Sequence, residues 1–134
     1  MAAPLSEKDL ALFRDKNFAH LTTLNPDGSP QTTVLWVDEA DGRIMLNTAA
    51  DRSKVANIRR DPRVAISVHS QENPYASIAI TGQAQLDRND AERRIDSLTS
   101  KFMGQETYPA EWRSPNEERV TIWIVPERIH RYGY

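Results

Sequence analysis

No cysteine occurs among the 134 residues, which removes disulfides, thiolate metal sites and a cysteine nucleophile and fits a reducing compartment. No apolar run approaches the ~18–20 residues that span a bilayer, and the opening Met-Ala-Ala-Pro-Leu-Ser-Glu-Lys lacks a signal peptide's apolar segment. The expectation is a cytoplasmic protein with no membrane partner. A dominant charge is missing too: 17 basic and 19 acidic side chains leave a net charge of −2, so no global field draws the chain to nucleic acid or anionic lipid, and any basic site is local. The three histidines, His20, His69 and His130, form neither His-x-His nor His-Glu-x-x-His, so no metal site is expected, and His20 and His69 read as structural residues inside strands. Gly-x-Ser-x-Gly, Gly-x-x-x-x-Gly-Lys and Gly-x-Gly-x-x-Gly are all absent, which leaves hydrolase, P-loop and Rossmann readings without support.

What is present has the length of one domain, residues 1–134, with a real core. Ser6-Glu-Lys-Asp9 together with Leu5, Leu10, Leu12 and Phe13 predicts a capped helix over residues 6–16. Strand-forming runs follow at Phe18–Leu24, Gln31–Val37 and Arg43–Thr48, joined by Asn25-Pro26-Asp27-Gly28 and Asp41-Gly42 turns. A basic helix then ends at Asp61-Pro62. Arg63–Ser70 and Tyr75–Leu86 read as strands four and five, with Gly82 marking a bulge. Asn89 is the expected cap of a helix reaching Met103, with Gly104 as its stop. An aromatic loop over residues 108–116 leads to a sixth strand, Val120–Val125, before Pro126. Six short strands and few helices predict a mainly β, closed or nearly closed antiparallel barrel.

The most informative stretch runs from Asn47 to Arg60. An apolar strand ends there and a basic helix begins, with Asp51 or Ser53 able to cap its first turn and Arg52 and Lys54 adding positive charge beside free N–H groups. A phosphate fits such a site; a solvated basic helix face is the commoner meaning of a Lys/Arg cluster, and this stretch alone leaves both open. The nearby strand alternates Thr33, Leu35 and Val37 with Thr32, Val34 and Trp36, and neither face is plainly polar. One local anion site beside such a strand suits a phosphorylated aromatic cofactor that does the chemistry itself. An oligonucleotide-binding barrel, the rival reading, needs aromatics interleaved with basic residues, which Trp36 alone does not provide. Trp36, Trp112 and Trp123 otherwise read as core or interface packing, and no carboxylate pair stands out as acid and base.

Leu21-Thr-Thr-Leu-Asn-Pro-Asp-Gly-Ser-Pro-Gln31, Asn47-Thr48 with Arg52-Ser-Lys54, Asn57-Ile-Arg-Arg-Asp-Pro-Arg-Val64, Gly82-Gln-Ala-Gln-Leu86 and Arg119-Val120 together resemble the pyridoxamine-phosphate-oxidase-like split β-barrel flavoproteins over nearly the whole length. Within them the chain is most similar to the short members that use the deazaflavin coenzyme F420 in place of FMN. The resemblance implies a six-stranded Greek-key split barrel, a homodimer with cofactor sites at its interface, and an F420H2-dependent reductase of conjugated small molecules. FMN-dependent oxidase chemistry and a non-catalytic cofactor carrier are the alternatives. By position it places Arg52, Ser53, Lys54 and Asn57 around the cofactor phosphate, and Thr32, Thr33, Val34, Leu35 and Trp36 along the tricyclic ring. It sets Thr48 near the ring or ribityl chain and Tyr75 on the substrate side, and the local basic patch offers Arg59, Arg60 or Arg63 to the cofactor's acidic tail. The paired Arg/His motif for substrate phosphate in the true oxidases is missing from the tail Arg131-Tyr-Gly-Tyr134, so vitamin B6 synthesis is not implied.

Overall fold

The computed structural model describes residues 2–134. Three α-helices and seven strands follow in the order α1 (Glu7–Arg14), β1 (Phe18–Leu24), β2 (Pro30–Trp36), β3 (Asp38–Ala40), β4 (Arg43–Ala49), α2 (Ser53–Arg60), β5 (Arg63–His69), β6 (Ser77–Asp87), α3 (Ala91–Met103) and β7 (Arg119–Tyr132), with a 3-10 turn at Ala110–Trp112. The strands make a single antiparallel sheet in the order β2-β1-β5-β6-β7-β4-β3. It curls so that β2, at one end, comes back towards β4.

Six strands were expected and seven are present. The additional one, Asp38–Ala40, is three residues of polar sequence that pair with Ile44 and its neighbours, too short and too hydrophilic to show a period of two. The last strand also runs past the expected stop at Val125 to Tyr132. Pro126 is tolerated inside it because it falls opposite Gly82, where the β6–β7 register slips between Thr81 and Gly82, and a bulge is one of the places where a missing N–H costs little. Gly82 is required there: a Cβ would run into the Val125 carbonyl.

The expected helix caps differ as well. Ser6 and Asp9 form the anticipated capping box on α1. Arg52, not Asp51 or Ser53, is the N-cap of α2 and no side chain caps that helix; Asp90, not Asn89, precedes α3 in a left-handed conformation. The Asp90 carboxylate is taken by Arg93 and is therefore lost to the helix N–H groups.

One apolar core fills the inside of the curl, with Phe13, Leu21, Leu46, Ile66, Ile80 and Ile122 all at 2% exposure or less; each such side chain contributes about 1.5–3 kcal/mol of burial. A second cluster (Met45, Ile95, Leu98, Phe102, Trp123) fixes α3 on the outer side of β4 and β7. Elsewhere the outer side is open. Cross-strand rows Thr32/Thr22/Ala65/Thr81/Arg128 and Val34/His20/Ser67/Ala79/His130 span five strands, and their residues are half-buried or exposed. Both ends of the chain are tied to the fold at Asp9. This fully buried carboxylate accepts from Arg131 (2.6 and 2.8 Å) and from the Tyr134 hydroxyl (2.6 Å).

Candidate functional site

A cavity of about 280 Å3 opens where the free edge of β2 faces β4 beneath α3. Val34, Leu35 and Trp36 of β2 form one wall, Asn47 of β4 and Arg119 of β7 another, and Tyr108 and Trp112 of the aromatic loop a third. Because β2 is a terminal strand, its outer backbone edge has no strand partner and keeps N–H and C=O groups available to a ligand. The aromatic side is a run of ring contacts: Trp36 stacks on Phe102 at 5.4 Å and 4° between planes, Phe102 on Phe18 at 5.4 Å, and Tyr108 meets Trp36 and Trp112 edge-on.

At the other end of β2, Gln31 Nε2 reaches Ser53 Oγ (3.4 Å) at the start of α2. This contact connects the strand to the expected anion site. Among the described residues neither Arg52 nor Lys54 has a carboxylate partner. Burial first, then the charges of Arg52 and Arg119, lower the Lys54 pKa. The cations at α2 and the cavity's Arg119 therefore share one field, and the uncapped first turn of α2 lies inside it. An anion at that place would satisfy the helix N–H groups and relieve the repulsion among the cations.

The residues singled out from sequence do not all converge. Arg52, Ser53 and Lys54 stand together at the α2 terminus, and Val34, Leu35 and Trp36 line the cavity. Thr32 is on the outer face with its hydroxyl 2.8 Å from that of Thr22, and Thr33 alternates to the other side. Asn57 is 3% exposed and spent inside the protein: its Nδ2 donates to Thr23 Oγ1 (3.0 Å) and Asn25 Oδ1 (3.1 Å), and its Oδ1 accepts from Arg60 (2.8 Å). It fastens α2 to the β1–β2 hairpin. Thr48 is on the Leu46 face of β4, turned to the core, while its neighbour Asn47 faces the cavity. Tyr75, 73% exposed in the β5–β6 loop, stands outside the cavity. Of the distal arginines, Arg60 also donates to the Leu24 carbonyl (2.7 Å) and Arg63 is paired with Asp61 (2.7 Å), which leaves Arg59 exposed.

Residues the sequence reading assigned no role include Asn47, Tyr108 and Arg119. Arg119 is 9% exposed, its Nε donating to Asn47 Oδ1 (3.0 Å) and Nη1 to Glu117 Oε2 (3.1 Å), with the guanidinium 5.0 Å from the Tyr108 ring centre. The signal available in the sequence was an arginine at the mouth of an otherwise apolar strand. The histidines, separated in sequence, share the open outer face: the His20 and His69 rings are 6.4 Å apart, and His20 and His130 border one hollow. No group of three His, Cys, Asp or Glu able to hold a metal occurs among the described residues, and no helix among them is long and apolar enough to cross a membrane.

The curled antiparallel sheet thus leaves a cavity at one free strand edge, with cations beside it. The chain belongs to the pyridoxamine 5'-phosphate oxidase family, whose model matches residues 5–132. Among solved structures it is similar to an F420 reductase, at 26% identity over 94% of this chain and 98% of that one, TM-score 0.79. It is also similar to a conserved hypothetical protein from Mycobacterium tuberculosis, at 28% identity over 96% and 84%, TM-score 0.72. A candidate pyridoxamine 5'-phosphate oxidase from Listeria innocua is 25% identical over 85% and 86%, TM-score 0.64. No curated protein matches the chain in sequence.

Proposed function

We propose that the protein is an F420H2-dependent oxidoreductase that passes a hydride to a conjugated small molecule and works as a homodimeric split barrel. The observation that carries this reading is the placement of β2, which touches Ser53 beside two unpaired cations at its Gln31 end and lines an aromatic cavity from Val34 to Trp36. A flat ring with a phosphate on a short chain suits that arrangement, the ring in the cavity and the phosphate at the cations. The similarity to an F420 reductase over nearly its full length supports the deazaflavin over FMN; the Listeria neighbour supports FMN as the second reading.

Arg52, Lys54 and Ser53 would hold the phosphate by charge-assisted hydrogen bonds. The β2 edge from Thr32 to Trp36 would orient the ring, and Trp36, Tyr108 and Trp112 would keep water from it. The deazaflavin, when bound, supplies the hydride. No side chain in the cavity is poised as a general acid or base, so the protein's part is orientation.

The open outer face supports the dimer. Five strands wide and about seven residues long, it has a flat area on the order of 500 Å2, which side-chain relief brings towards the ~800 Å2 per partner of a stable interface. It carries mostly Thr, Ser and Ala, and it adjoins the cavity through Phe18 and Val34, so a second copy seated there would border the bound ring. Tyr75 would reach a site only by that route.

Titration with F420 and with FMN, followed by absorbance, tests the cofactor. Anaerobic reoxidation of reduced F420 by activated enones, quinones or a tetrapyrrole tests the activity. Tight FMN binding with oxygen turnover and no response to F420 would establish the second reading; F420 binding with no turnover would make the protein a carrier.

A further inference from the structure

Arg119 is a charged side chain placed at an apolar cavity, and neither the phosphate site nor the core needs it there. Burying a guanidinium is costly unless its hydrogen bonds and charge are met. Two of its nitrogens are met: Nε by Asn47, which is itself held by the Ala91 carbonyl (2.9 Å), and Nη1 by Glu117. The Glu117 side chain is 5% exposed and lies 4.0 Å from Arg113. The third nitrogen, Nη2, has no partner among the described residues. No enclosed side-chain nitrogen or oxygen there is left unpaired, so Nη2 reaches open space, and Arg119 lines the cavity. Asn47, Glu117 and the Tyr108 ring thus hold the guanidinium in one orientation with a donor left over, an arrangement that costs no reorganisation when a ligand arrives.

Given the reading that this cavity holds a flavin-type ring, we propose that Arg119 is its specificity-determining residue, binding the carbonyl-bearing edge of the ring and holding the reduced form more tightly than the oxidised form. In FMN the reduced ring can lose an acidic N–H and carry negative charge on that edge, whereas the oxidised ring is neutral, so FMN is the probe on which the preference is read. A fixed cation within a low-dielectric wall favours the charged form. Glu117 tempers the effect, because its carboxylate neutralises part of the field that Arg119 presents. Arg119 and Glu117 therefore act on the preference in opposite directions.

The test uses the full-length chain with FMN and F420 as probes. Dissociation constants are measured anaerobically for oxidised and reduced forms, together with the midpoint potential of the bound cofactor. Arg119→Gln is expected to cost about tenfold in the preference for the reduced form, which for a two-electron couple is a midpoint about 30 mV more negative. Glu117→Gln is expected to move the midpoint to more positive values, and Arg119→Lys to fall between wild type and Arg119→Gln. A merely structural pair would weaken both forms equally and leave the midpoint unmoved in both variants, and that result overturns the proposal. If Arg119→Gln does not fold, the opposite signs of Glu117→Gln and Arg119→Lys decide it. Failure of the wild-type protein to bind either probe would instead overturn the reading of the cavity, and this proposal with it.

Discussion

Replacing Lys54 with alanine should move two measurements in opposite directions. In the free protein the ammonium is partly buried beside Arg52 and Arg119, with no carboxylate to offset them. Its removal relieves like-charge repulsion worth a few tenths of a kcal/mol by the measure of helix neighbours, so Tm should rise by about 1–3 °C or stay level. With a flavin nucleotide present the same change deletes a charge-assisted hydrogen bond to phosphate, about 1.5–3 kcal/mol, and the dissociation constant should increase roughly 10- to 150-fold. Differential scanning fluorimetry with and without ligand, backed by isothermal titration, reads both. With FMN as the ligand, which has no acidic tail for Arg59 to meet, Arg59→Ala is the appropriate control, since Arg59 is exposed and does not line the cavity. Arg60→Ala is not, because it would strip the Asn57 carbonyl and the Leu24 carbonyl of their donor. Equal weakening by Lys54→Ala and Arg59→Ala, or a free protein markedly destabilised by losing Lys54, would refute the anion-site argument.

Asn57→Ala should destabilise the free protein by about 2–4 kcal/mol, because Thr23, Asn25 and Arg60 all lose a partner in a nearly closed setting; urea unfolding without ligand measures it. Asp9→Ala should cost about 3 kcal/mol or more by the same assay, since it removes the acceptor of Arg131 and Tyr134. Arg131 holds the Asp9 carboxyl well below the usual carboxylate range. The stability this confers is present above the unfolded pKa near ~3.9 and is lost as pH falls from there towards the folded value, so wild type and Asp9→Ala should converge in stability only in strong acid. Gly82→Ala should cost at least about 3 kcal/mol or prevent folding, because the Val125 backbone occupies the space. Light scattering at micromolar concentration should give twice the 15.3 kDa chain mass, and a stable monomer would count against a site shared between copies.

Elements with a strong period were legible before any coordinates: Phe18–Leu24 is a strand with the same ends in both descriptions, and Gly82 marked a true bulge. Signals that depend on what lies across the sheet were not. Pro126 reads as a terminator until its partner is known to be the bulge at Gly82, and Asp38-Glu-Ala40 pairs only because β4 is there to receive it. The same division runs through the candidate site. Arg52, Ser53 and Lys54 are adjacent in sequence and remain adjacent in space, so a local motif was enough to bring them together as candidates. Asn47 and Arg119 are 72 positions apart and joined by one hydrogen bond, and nothing in either neighbourhood announces the other. The resemblance placed Asn57 at the phosphate with Lys54, but one turn further along α2 its side chain is turned inward to the hairpin.

The two sides of the cavity differ in how firmly the sheet holds them. Thr121 to Ile124 of β7 runs between β4 and β6 and is paired on both sides, and Arg119 and Val120 continue the same strand against β4, so the amide protons of Thr121 to Ile124 should be among the last to exchange with solvent, on the timescale of global unfolding. The opposite side is β2, paired only with β1, and a loop of residues 108–116 whose one regular feature is a single 3-10 turn. Its amides should exchange through small local openings, far faster and without unfolding of the core. A bulky ring would then enter by the yielding side while Arg119 stays in place, and ligand binding should appear as new protection in residues 30–36 and 108–116 with little change in residues 119–124.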